Sequence, residues 1–121
     1  MVKFILARFQ SFGPAFKGLF AFVKKEGQAK IHLLATIVVI AASFYFQITK
    51  AEWIAVVFAI ALVWATEMLN TAIEKLVDFC SDERLPILKF IKDVAAGAVL
   101  VAAFAAIAVA LIIFLPYLSQ L

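Results

Sequence analysis

The alternation of polar and apolar positions divides this chain into a mixed opening of thirty residues and three long apolar runs, at 31–49, 53–77 and 94–115. Each run approaches or exceeds the roughly 20 residues that a helix needs to cross the hydrocarbon of a bilayer. The opening segment has a different pattern. Phe4, Phe9, Phe12, Phe16, Leu19, Phe20 and Val23 recur at mostly helical spacing, and Lys3, Gln10, Lys17, Lys24 and Lys25 fill much of the rest. Such a pattern predicts a helix lying in the membrane interface with a basic face in water. Gly13-Pro14 is expected to break that helix in two or to start its second half. The polar stretch 78–93 reads as a link between the second and third spans. The predicted architecture is therefore an all-α integral membrane domain, with an interfacial helix over 1–30 and three transmembrane helices.

Composition supports the membrane setting. Of 121 residues, 67% are hydrophobic and 16% charged, which leaves too little polar surface to cover a soluble domain of this size. No repeat or low-complexity linker divides the chain, so one domain is expected. No short apolar core followed by a cleavage site marks a signal peptide at the N-terminus. The single Cys80 excludes an internal disulfide and gives no metal-site pattern.

The basic residues predict the topology. Lys3, Arg8, Lys17, Lys24, Lys25 and Lys30 precede the first span, and Lys75, Arg84, Lys89 and Lys92 surround the link between the second and third. Lys50 alone lies between the first and second spans, so ten of the eleven basic residues fall on one side. The positive-inside rule makes that side cytoplasmic, with the N-terminus inside and the C-terminus outside. The net charge of +3 then reflects orientation and attraction to anionic lipid, and not nucleic-acid binding.

The second span carries the chemistry. In WIAVVFAIALVWATEMLNTAIEKLVD, from Trp53 to Asp78, the groups Glu67, Asn70, Thr71, Glu74 and Asp78 recur at spacings of three and four. On a helix they form one stripe on one face. A charged carboxylate at membrane depth costs roughly 2.5–3.5 kcal/mol even on insertion scales, so a stripe with two of them calls for a partner charge, a metal or a reaction. Glu67 lies about 16 Å along the helix from Asp78, and Glu74 about 6 Å from it. The stripe therefore runs from the cytoplasmic headgroups inward. This suits a reaction between a water-soluble donor and a membrane-embedded acceptor. The lower carboxylates could hold Mg²⁺, which takes one or two carboxylates plus substrate phosphates. Glu67 could accept the proton of a lipid hydroxyl, and Lys92, opening the third span with Asp93, could neutralise phosphate charge.

The run Glu67-Met68-Leu69-Asn70-Thr71-Ala72-Ile73-Glu74-Lys75-Leu76-Val77-Asp78 resembles the signature of the prokaryotic diacylglycerol kinase family, which includes diacylglycerol kinases and undecaprenol kinases. KDVAAGAVL, from Lys92 to Leu100, is similar to its second block, and Ser11 to Leu19 and Glu26 to His32 to its amphipathic entry. The resemblance covers essentially the whole chain. It implies a membrane-bound kinase that passes the ATP γ-phosphate to a lipid alcohol in the bacterial inner membrane. It also implies a homotrimer with composite active sites. It assigns Glu67 as catalytic base with Asn70 beside it, and Glu26 and Glu74 as the Mg²⁺ carboxylates. It places Arg8, Lys17, Glu26, Glu74, Asp78, Glu83, Lys92 and Asp93 on ATP, and Glu67, Lys30 and Ala98 on the lipid. The chain departs from the pattern at Gln28, Lys30 and Leu85-Pro86, where relatives often carry Asn, Arg and His-Pro. The lipid stays open between diacylglycerol and undecaprenol, although IHLL at the start of the first span looks more like the undecaprenol branch.

Blander accounts of the same residues remain. His32 reads as interfacial packing, Trp53 and Tyr117 as aromatics of the outer interface, and Trp64 as packing or lipid-facing. Asp82 and Glu83 could form a solvated turn. Gly97 with Ala98, Ala102, Ala103, Ala105, Ala106, Ala108 and Ala110 suits close helix packing in the third span. The stripe as a whole could be a structural clasp in a non-catalytic oligomer, or a cation or proton relay. A relay would need polar groups continuing outward, and WIAVVFAIALVWA and AAIAVALIIFLP have almost none.

Overall fold

A computed structural model describes all residues, Met1–Leu121. It is entirely helical: α1 covers Val2–Lys25, α2 Gly27–Tyr45, α3 Lys50–Cys80 and α4 Pro86–Leu118. The last three are long and apolar enough to cross a membrane. The chain divides into two compact units, Met1–Val38 and Val39–Leu121.

In the first unit, α1 runs through Pro14 without a break, contrary to the expected interruption at Gly13-Pro14. A proline removes one backbone donor but leaves its neighbours helical when the solvent-facing ladder around it can accommodate the ring. The chain breaks at Glu26 instead. This residue adopts an extended conformation, with φ −97° and ψ 122°, and its N–H donates to the Phe22 carbonyl. Its own carbonyl then accepts from Ala29 N at 3.2 Å, which starts α2 at once.

The second unit holds the end of α2 and the pair α3 and α4. The turn between α2 and α3 needs only residues 46–49, because both helix ends are tied off. Gln47 sits at φ 51°, while Ile48 N donates to Ser43 O at 3.3 Å and Gln47 N to Phe44 O at 3.2 Å. These two bonds form a Schellman stop, with a left-handed residue at its centre. Thr49 then opens α3 with a capping box. Its hydroxyl accepts from Glu52 N at 3.2 Å and its N–H donates to Glu52 Oε1 at 2.9 Å.

Apolar packing concentrates at this end. Ile48, Val56 and Ile113 are buried together, with Phe46, Trp53, Phe114 and Tyr117 packed around them. Trp53 meets Phe44 edge-on with centroids 4.9 Å apart, and Phe46 stacks on Tyr117 at 5.6 Å. Tyr117 also donates its hydroxyl hydrogen to Glu52 Oε1 at 2.6 Å, linking the last turns of α4 to the first turn of α3.

Along α3 the buried positions are Val56, Glu67, Asn70 and Val77; along α4 they are Ala95, Ala102 and Ile113. Each set keeps to one stripe, at steps of three, seven or eleven, and the two helices pack against each other. The alanines allow α4 to come close. Gly97 does not take part, since a methyl group added there would meet nothing within 4 Å. Ala98, Ala105 and Ala108 are also exposed, so much of the small-residue surface of α4 lies outside its contact with α3.

Candidate active site

Glu67 and Asn70 are the two buried polar groups of α3, at 8% and 9% exposure, in a helix whose other buried residues are valines. A polar pair so enclosed must be hydrogen-bonded or carry a cost. Asn70 Nδ2 donates to Glu74 Oε1 at 3.2 Å. Its Oδ1 is buried with no donor in reach. The amide does not turn to Glu67; it faces one helical turn the other way, toward the exposed carboxylate of Glu74. Asn70 thus bridges the interior of the stripe and its exposed end, and it offers an unfilled acceptor beside Glu67.

The far end of α3 leads into a cleft. Ser81 closes the helix in an extended conformation, and its side-chain oxygen accepts from Glu83 N at 3.0 Å. Leu85 N then donates to Glu83 O at 3.0 Å, and Pro86 opens α4 as its first residue, where its missing N–H is no loss. The link proper is therefore only 81–85, and α4 already carries Lys89, Lys92 and Asp93 on its first turns. Between the helix ends lies a cleft of about 640 Å³, lined among others by Asp78, Glu83, Arg84, Lys89, Lys92 and Asp93. That volume is in the range of small-molecule sites, roughly 300–1,000 Å³.

Two ion pairs order its charges. Lys92 Nζ lies 2.6 Å from Asp78 Oδ1, joining α4 to α3, and Lys89 Nζ lies 2.5 Å from Asp93 Oδ2 within α4. Lys92 is the more sheltered lysine, with 39% of its side chain exposed against 78% for Lys89. Counting Asp82, the cleft holds four acids and three bases. An anionic ligand therefore needs either a cation with it or a lysine released from its carboxylate.

Of the residues singled out from the sequence, Asp78, Glu83, Lys92 and Asp93 come together at this cleft. Glu74 lies on α3 one turn before Asp78, exposed, and Glu67 lies deeper on the same helix. Ala98 is exposed on α4, beyond Asp93. Arg8, Lys17, Glu26 and Lys30 belong to the unit Met1–Val38. There the Arg8 guanidinium sits over the Phe4 ring at 4.9 Å, Lys17 and Lys30 are exposed, and Glu26 is half-buried at the helix break. Leu85 lines the cleft wall despite lacking a polar side chain. Arg84 and Lys89 also line it, and sequence reasoning had used them only for topology. The signal for Lys89 was its spacing, three and four residues ahead of Lys92 and Asp93. No three His, Cys, Asp or Glu side chains gather into a ligand cage. The carboxylates here suit a hard cation that arrives with phosphate oxygens of its own, as Mg²⁺ does.

A sequence profile described as prokaryotic diacylglycerol kinase matches residues 13–114, a stretch that includes Glu67, Asn70 and every residue of the cleft. The chain belongs to the prokaryotic diacylglycerol kinase family. Among family relatives it is 36% identical to the undecaprenol kinase of Bacillus subtilis, over 91% of this chain and 89% of that one. It is 33% identical to a diacylglycerol kinase of Synechocystis, over 92% of this chain and 64% of that protein. With a diacylglycerol kinase of Pseudomonas aeruginosa it shares 31% identity, over 74% and 73% of the two chains. The resemblance drawn from the motifs is thus borne out. This member of the prokaryotic diacylglycerol kinase family is a helical membrane protein with a charged cleft at one end of a helix pair and a buried carboxylate above it.

Proposed function

We propose that the protein transfers the γ-phosphate of ATP to the primary hydroxyl of a membrane lipid. The reaction would occur at the cytoplasmic face of the bacterial inner membrane. One observation carries this reading: a single face of α3 runs from the buried Glu67 and Asn70 to a cleft holding Asp78, Lys92 and Asp93. Such a face would join an open charged cleft, suited to a nucleotide, to the depth of a lipid hydroxyl.

Phosphoryl transfer rests mostly on positioning and charge neutralisation. In the cleft, Lys92 exchanges its Asp78 partner for phosphate oxygens and neutralises charge on the transferred group. Glu67 accepts the hydroxyl proton as the oxygen attacks phosphorus. Asn70 holds Glu74 through its amide and presents Oδ1 to a donor in the bound complex. Glu74 and Glu26 would hold the Mg²⁺ that accompanies ATP, which would supply positive charge against the phosphates. Arg8, Lys17, Glu83 and Asp93 complete the nucleotide contacts, and Lys30 and Ala98 face the lipid. The N-terminus lies inside and α1 rests in the interface. Three subunits assemble, with exposed α1 and α2 groups meeting the cleft of a neighbour. Between the two lipid alcohols, undecaprenol is favoured by the similarity to the Bacillus subtilis kinase.

An ATP-dependent phosphorylation assay of the purified protein, offered diacylglycerol and undecaprenol separately, tests the proposal. Labelled lipid phosphate from undecaprenol is the expected product. Labelled phosphatidic acid alone would reverse the lipid assignment. No lipid phosphate from either would refute the activity.

A further inference from the structure

The geometry points to Lys89 as a second phosphate-binding lysine of the cleft, held by Asp93 until a nucleotide displaces that carboxylate. The inference rests on the kinase reading above and extends it to a residue that neither motif assigns.

Lys89 and Lys92 are three residues apart on α4, so their side chains share a face, with Cβ atoms about 5–6 Å apart. Both line the same cleft. Each ammonium is held by a carboxylate that also lines it, Lys92 by Asp78 at 2.6 Å and Lys89 by Asp93 at 2.5 Å. Two ammonium groups on one face of the cleft offer six N–H donors to the phosphates of one nucleotide, against three from a single lysine. The cleft holds four carboxylates against three cations, so a polyphosphate, even with its Mg²⁺, gains from each lysine that turns from a protein carboxylate to phosphate.

Lys89 is the easier of the two to release. Its pair is an exposed one within a single helix, with side chains 78% and 61% accessible, and such pairs contribute little, about 0.3–0.5 kcal/mol. Phosphate carries more negative charge than one carboxylate and offers more acceptor oxygens, so the exchange runs toward the nucleotide. Asp93, freed of Lys89, then faces the cleft uncompensated and is available to the bound Mg·ATP. The ordinary alternative, a solvated helix pair of no consequence, makes no difference to nucleotide affinity.

The test is equilibrium binding of Mg·ATP to the full-length protein in bicelles, with KM and kcat measured in parallel, for wild type, Lys89→Met and Lys89→Arg. Lys89→Met is expected to weaken binding and raise KM by about threefold to tenfold, with kcat within about twofold. Lys89→Arg keeps the charge and should stay within about twofold of wild type. Added salt should weaken wild-type binding more steeply than that of Lys89→Met. Unchanged affinity in Lys89→Met overturns the inference, as does an arginine variant no better than methionine or a fall in kcat at constant affinity. If wild type binds Mg·ATP and phosphorylates lipid while Lys89→Met is silent, the kinase reading stands and only this inference fails. Wild type that does not bind Mg·ATP removes both.

Discussion

Replacing Glu67 by glutamine separates catalysis from stability at one site. The side chain is 8% exposed and occupies the buried stripe of α3, so glutamine fits the same space and loses only the charge and the basicity. If Glu67 takes the proton from the lipid hydroxyl, removing it forfeits general-base assistance, about 10²–10⁴-fold in kcat. At 1.36 kcal/mol per tenfold, this is about 2.7–5.4 kcal/mol of barrier. The burial that isolates Glu67 also keeps bulk water from acting as a substitute base, so the loss should reach that range. Asp78, at the cleft end of the same helix, is about 16 Å further along it, and Mg·ATP binding should change by less than about twofold. Stability should move the other way or not at all. A carboxylate at membrane depth costs roughly 2.5–3.5 kcal/mol, and glutamine is relieved of most of that. The assay is kcat on the preferred lipid in bicelles, with nucleotide affinity and thermal unfolding measured on the same preparations. Near-normal turnover refutes the role of base. A large loss of thermal stability with little change in kcat makes the stripe a structural clasp.

Other expectations are briefer. Gln47→Gly should stabilise the protein by about 1 kcal/mol, because a left-handed backbone costs a side-chain-bearing residue about that much; a lower unfolding temperature would contradict the Schellman stop. Glu74→Gln should raise the Mg²⁺ concentration at half-maximal activity and lower kcat together, and an unchanged Mg²⁺ titration excludes this carboxylate as a ligand. A reporter fused after Leu121 should be found outside the cytoplasm, and crosslinking in membranes should give a trimer; a cytoplasmic reporter or a stable monomer defeats the respective assignment.

Much of the fold was legible because the bilayer imposes a length on each span. The apolar runs announced α2, α3 and α4, but capping chemistry that hydropathy does not record moved their ends: α3 and α4 outrun their apolar stretches at both ends, while α2 starts at Gly27 and stops at Tyr45, short of residue 49. Pro86 starts α4 several residues before the apolar run begins, so Lys89, Lys92 and Asp93 ride on a helix and not on a loop. Pro14 misled in the opposite sense, since a proline whose surroundings keep the helical path does not end it. At the site, the spacing of Glu67, Asn70 and Glu74 gave their common face. It could not give the direction of the Asn70 amide, which depends on which acceptor lies within reach. The Asp78–Lys92 bridge was equally hidden, because it joins two helices and depends on how they pack. The bond from Tyr117 to Glu52 spans 65 residues, and no local pattern foretells it. Tyr117, read from the sequence as an interface aromatic, also stacks its ring on Phe46 within the packed end of the helices.

The turn at 46–49 has a practical bearing on engineering. Its Schellman stop, its capping box, the Tyr117–Glu52 bond and the cluster around Ile48, Val56 and Ile113 all lie at the end of α3 opposite the charged cleft. Stabilising substitutions usually compete with activity where they stiffen a working site. Here the two demands fall on different residues. A heat-tolerant enzyme for use in detergent can therefore be evolved by restricting diversity to 44–56 and 109–117, leaving 67–98 untouched. Gains found there should add to one another at separated positions without slowing turnover.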